Sequence, residues 1–188
     1  MKHVSAFVVI ILFAYNVQAN WFVQYNFGLS RDFNSYTPEN IQRSYLNEIS
    51  FYFQLGQTKR LYWGASYNFT SNYQSESNSS STTQSTQGAA IAARWYFNKN
   101  ETLGMTIEYC PLIKLYYATE NTEEDWSGSG LVIKPGLYPQ LTARLKVSIE
   151  FIYHVAAYNN KEVLSGASTT SNFTRSYALP SAGIIWDF

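Results

Sequence analysis

The chain has 188 residues, 18% of them aromatic, with a single cysteine and 13 basic against 13 acidic residues. That length suits one domain, the zero net charge leaves no basic excess for nucleic acid, and one cysteine excludes an intramolecular disulfide. One cysteine with two histidines also falls short of a transition-metal ligand set, and no cofactor motif is present.

Lys2 and His3 open the chain, an apolar run follows from Ala6 to Tyr15, and Val17 and Ala19 stand at small-residue positions ahead of Asn20. This is the pattern of a secretory signal peptide over residues 1–19. The apolar run is about ten residues, half of the roughly 20 a spanning helix needs. Residues 20–188 then form the mature domain.

From Trp21 the chain alternates. Trp21, Val23, Tyr25, Phe27 and Leu29 lie on one face and Gln24, Asn26 and Ser30 on the other, the period of a half-buried strand. Seven more segments follow. Ile49, Phe51 and Phe53 oppose Glu48, Ser50 and Gln54; Leu61, Trp63, Ala65, Tyr67 and Phe69 oppose Tyr62, Gly64, Ser66 and Asn68. Ala89, Ile91, Ala93, Trp95 and Phe97 oppose Gly88, Arg94 and Tyr96. In the fifth, Leu103, Met105, Ile107, Tyr109, Ile113, Leu115 and Tyr117 oppose Gly104, Thr106, Glu108 and Lys114. Pro135 weakens the sixth, in which Leu131, Ile133 and Leu137 oppose Lys134 and Gly136. Leu145, Val147, Ile149, Phe151, Tyr153 and Val155 oppose Lys146, Ser148, Glu150 and His154 in the seventh, and the tail from Ser176 to Phe188 is the eighth. Segments of about ten residues with this alternation suit tilted strands crossing a bilayer.

Link lengths alternate as well. Short links at 56–60, 98–101 and 139–144 follow segments two, four and six, and long ones at 31–43, 71–87, 118–128 and 158–175 follow the odd segments. Short periplasmic turns and long extracellular loops are the habit of bacterial barrels, so both termini are expected in the periplasm. The expectation is an all-β, antiparallel, eight-stranded transmembrane up-and-down barrel, with ten strands as the alternative. The Ser, Thr, Asn and Gln of 71–87 read as a mobile, solvated loop. Phe33, Tyr36, Tyr73 and Trp126 are candidate contact aromatics in the loops.

By parity the inward face carries Glu48, Glu108, Glu150 and Asp187 with Arg94, Lys114, Lys134 and Lys146. An interior this narrow is filled by side chains, and buried ions need partners, so these residues are expected to plug the lumen. Hairpin geometry pairs Arg94 with Glu108, Lys134 with Glu150, and Lys146 with Asp187. A catalytic reading would join His154 to Glu150 and a serine. Ser148 is six residues from His154 along an extended strand, roughly 20 Å, so no triad forms.

The whole mature chain resembles the small eight-stranded outer-membrane barrels, the OmpX-like proteins and the transmembrane domain of OmpA-like proteins. The residues that carry the likeness are the alternating segments, the signal peptide and the ending Gly183-Ile184-Ile185-Trp186-Asp187-Phe188. The resemblance implies residence in the outer membrane of a Gram-negative cell, contact with its lipids, and reading of Ile184, Trp186 and Phe188 by the barrel-assembly machinery. It also implies a surface partner met through loops 31–43, 71–87, 118–128 and 158–175. A structural or surface-interaction protein without catalysis is expected; a small channel, a lipid-modifying enzyme and a secreted lipocalin-like barrel with its apolar faces inward are the alternatives.

Overall fold

The computed structural model describes residues 20–33, 43–54, 60–75, 81–118, 123–163 and 168–188. Residues 1–19, read above as a signal peptide, and parts of the connections, Tyr36 among them, lie outside these residues. Eight strands close into one antiparallel barrel: β1 (Trp21–Phe33), β2 (Arg43–Gln54), β3 (Leu61–Ser75), β4 (Ser81–Tyr96), β5 (Leu103–Ala118), β6 (Glu123–Leu137), β7 (Leu145–Val163) and β8 (Ser168–Asp187). Each strand pairs with its sequence neighbours, and β8 returns to β1. The ten-strand alternative finds no further hairpin among the described residues.

The alternation decides which way each face points. Tyr25, Ile49, Trp63, Ile91, Ile107, Ile149 and Ile184 are exposed on the outside, while Gln24, Glu48, Asn68, Arg94, Glu108 and Glu150 are buried inside. A soluble barrel would show the reverse, so the lipocalin-like alternative falls. The outer band is bordered unevenly. Trp63, Trp95, Trp186, Phe97 and Phe188 stand near the end of the barrel that holds the turns 97–102 and 138–144. Tyrosines 25, 67, 109 and 153 stand farther toward the opposite end. Aromatic side chains with one polar end favour the two edges of a bilayer.

Inside, bulk is distributed by pairing large with absent side chains. Gly64 faces Tyr52 across the β2 and β3 ladder and Gly104 faces Tyr96 across β4 and β5. A Cβ on Gly64 would meet the carbonyl of Phe51 and stand 2.7 Å from the Tyr52 ring. The glycine is what lets the tyrosine lie flat over the neighbouring strand.

Two sequence expectations need correction. The segment 71–87 is largely strand: β3 runs to Ser75 and β4 starts at Ser81, paired from Ser75 and Ser81 downward. The residues there are polar on both faces, so no hydrophobic period marks the strand in the sequence although the backbone ladder continues. The other long links are likewise shortened by strands reaching into them.

The second correction concerns β5. Its register shifts between Cys110 and Ile113, Pro111 and Leu112 are both exposed, and Ile113 and Leu115 are buried inside. Proline has no N–H for the ladder and settles at bulges. One extra residue reverses every later side chain, so Lys114, expected in the lumen, points outward.

Candidate functional site

The lumen is filled in three layers. Nearest the turns lies an aromatic layer of Phe22, Tyr52, Tyr62, Tyr96 and Tyr138 with Ala92 and Ile185. Charged and amide groups occupy the middle. Toward the opposite end Leu46, Cys110, Ile113, Leu115, Val132, Ile152, Tyr158, Tyr177 and Leu179 form an apolar layer, with Trp126 and Phe173 packed against it. An ionic layer between two apolar ones is cut off from bulk solvent, so its members look to one another for partners.

They gather around two cations. Arg94 is completely buried; its guanidinium bonds Glu150 at 2.9 Å and the Thr106 hydroxyl at 2.8 Å. The rings of Tyr52, Tyr138 and Phe22 lie 4.5, 4.6 and 5.3 Å from its centre. A planar, weakly hydrated cation suits such a cage where an ammonium does not. Lys134 bonds both Glu48, at 2.6 Å, and Glu108, at 2.5 Å.

The pairings expected from hairpins, Arg94 with Glu108 and Lys134 with Glu150, are therefore exchanged. Thr106 sits between Arg94 and Lys134 in one row across β4, β5 and β6. Two cations on one row repel, and Lys134 takes the nearby Glu108. Arg94 crosses the lumen to Glu150 on a strand that is not its neighbour. Lys146 with Asp187 is found as expected, at 3.2 Å.

Several participants went unrecognised in the sequence. Asn26 donates to Glu150 at 2.7 Å and to Glu48 at 3.3 Å, joining the two clusters. Gln24 and Tyr138 also donate to Glu150, and Ser50 donates to Glu48. Gln24 and Asn26 lie on the polar face of β1, but as uncharged amides they carry no signal of ion pairing in the sequence. Glu101 accepts from Lys146 at 3.0 Å and from the Tyr62 hydroxyl at 3.2 Å. It stands in a turn at φ 54°, a backbone position where glycine or asparagine is usual, and no alternation leads to it.

His154 is buried edge-on to Tyr177, with ring centroids 4.6 Å apart. Glu150 is committed to Arg94, Gln24, Asn26 and Tyr138, and the Ser148 hydroxyl donates to Asn26 at 2.8 Å. Of the candidate contact aromatics, Trp126 packs at 4.6 Å against Phe173, donates to Glu124 at 3.0 Å and has the Lys161 ammonium 5.2 Å from its ring. It is rim packing. Phe33 and Tyr73 lie on strands, and their side chains, like Tyr36, are outside the described residues. In the tail, Ile184, Trp186 and Phe188 face outward together, and Phe188 stacks on Trp21 at 3.9 Å.

No protein-family model matches the chain, and no curated protein matches it in sequence. Solved structures do. Neisserial surface protein A superposes with a TM-score of 0.63 at 16% identity, over 89% of this chain and 97% of that one. A major outer membrane protein from Thermus thermophilus gives 0.54 at 9%, over 90% and 99%. Ail, the attachment invasion locus protein of Yersinia pestis, in complex with the heparin analogue sucrose octasulfate, gives 0.50 at 9%, over 88% and 97%. The fold is thus that of small outer-membrane barrels, an eight-stranded antiparallel closure.

Proposed function

We propose that the chain is exported through its residues 1–19, inserted in the outer membrane of a Gram-negative cell with both termini in the periplasm, and serves there as a scaffold. Its surface partner is met at the protruding hairpin ends, around 31–43, 71–87, 118–128 and 158–175. Outer-membrane lipids surround the band, and the barrel-assembly machinery reads the outward Ile184, Trp186 and Phe188.

One observation carries this reading: buried side chains fill the lumen in two apolar layers, and between them lie the ion pairs of Arg94 with Glu150 and of Lys134 with Glu48 and Glu108. An interior filled in this way favours the outside and the ends as the working surfaces. Rigid scaffolds that hold connecting segments place binding there. The commitments of Glu150 and Ser148 to structural hydrogen bonds favour a non-catalytic role.

The test is to express the precursor in a Gram-negative host and compare boiled with unboiled outer-membrane protein on a denaturing gel. The same protein is then reconstituted in planar bilayers. A band of mature size that shifts on boiling, with no discrete conductance, is the expected result. Stepwise currents that change in Arg94→Ala would replace the scaffold with a channel.

A further inference from the structure

On the outside of β5 the apolar residues Leu103, Met105, Ile107 and Tyr109 continue through the bulge to Leu112, and the next outward side chain is Lys114. A strand of about ten residues crosses the hydrocarbon layer, so Lys114 stands at its edge. A lysine on the lipid face costs about 2–4 kcal/mol at the midplane and about 0–1 near the interface. The bulge has placed a cation where it is tolerated and where the surrounding medium is still poorly screening.

Its neighbours are donors. Gln87 of β4 and Ser127 of β6 are its register partners and share its outward face; side chains so paired have Cβ atoms about 4.5–5.5 Å apart. The Gln87 carbonyl oxygen already accepts the Tyr67 hydroxyl at 2.9 Å, which leaves its amide N–H groups for a ligand. An ammonium, an amide and a hydroxyl therefore line one row across three strands. Glu123 and Asp125 lie farther out on β6, opposite Ala118 and Tyr116. Their charge closes the loop side to an anion and leaves the approach from the bilayer.

We propose that Lys114, Gln87 and Ser127 form a subsite for the phosphate monoester of a glycolipid in the outer leaflet. A phosphate offers several acceptor oxygens to the three donors, and lysine serves it as a point charge. The site opens on the apolar band, so the ligand carries acyl chains. This rests on the outer-membrane reading above.

The test purifies folded protein in detergent and measures, by native mass spectrometry, retention of diphosphoryl lipid A and of the same lipid stripped of phosphate. Wild type should prefer the phosphorylated lipid. Lys114→Gln should lose that preference about tenfold, the worth of one charge-assisted contact. Lys114→Arg should keep most of it, and Lys99→Gln, in an exposed turn at the other end, should keep all of it. Equal retention by Lys114→Gln and wild type, an equal loss in Lys99→Gln, or displacement of the lipid by inorganic phosphate would each overturn the subsite. Every variant is also run boiled and unboiled. A shift on boiling with unchanged retention removes the subsite alone, whereas no shift in wild type removes the membrane reading and the subsite with it.

Discussion

The Arg94 guanidinium and the Glu150 carboxylate meet at 2.9 Å although they stand on β4 and β7, strands that never touch in the sheet. The contact spans the closed lumen, so it reports on closure itself rather than on any one hairpin. Both groups are fully buried, and each is held from several sides.

Removing one partner should cost far more than removing both. Glu150→Gln leaves Arg94 without its counter-ion in an aromatic cage, and breaking a buried pair in this way costs about 3–5 kcal/mol. Glu150→Gln with Arg94→Met should recover at least half of that loss. Urea unfolding in detergent, followed by tryptophan fluorescence, measures both; strictly additive losses would show that the pair is not coupled.

Arg94→Lys keeps the charge and loses the plane. The cage of Tyr52, Tyr138 and Phe22 and the paired bonds to Glu150 and Thr106 require a guanidinium. The expected destabilisation is about 2 kcal/mol, the worth of a desolvated cation–π contact. A midpoint equal to wild type would mean that charge alone matters there.

Lys134 holds Glu48 and Glu108 together. Lys134→Met should leave two carboxylates facing each other and lower stability by about 3 kcal/mol or more. Adding Glu108→Gln should restore most of it. The double variant staying as unstable as the single one would place the loss in packing rather than in charge.

Gly64→Ala should be destabilising by about 1–3 kcal/mol, because its methyl group would meet both the Phe51 backbone carbonyl and the Tyr52 ring and must displace them. Tyr52 also donates to Glu108 at 3.3 Å and flanks Arg94, so the displacement reaches the ion cluster. Adding Tyr52→Leu should then cost little more. A fully additive second loss would separate the two sites.

Glu101→Gly should lie within about 0.5 kcal/mol of wild type. Release from a left-handed backbone position gains about 1 kcal/mol, the part-exposed bonds from Lys146 and the Tyr62 hydroxyl are together worth about as much, and Lys146 keeps Asp187 as a partner. Thermal unfolding of the two proteins side by side checks the balance.

The eight alternating segments and the inward placement of Glu48, Arg94, Glu108, Lys134, Lys146, Glu150 and Asp187 were legible in the sequence, because side-chain direction along a strand is a local property with a period of two. The outward aromatic tail is local in the same sense. In the middle of the lumen only the tertiary structure decided who meets whom. Hairpin register reaches neighbouring strands alone, whereas Arg94 and Glu150 approach through the third dimension once β8 has closed on β1. It also decided the side on which Lys114 stands, since one residue absorbed at Pro111 reverses everything after it. The outer ends of β3 and β4 stayed hidden for a related reason: their residues are polar on both faces, so no hydrophobic period remains, and only the backbone ladder shows that the strands continue.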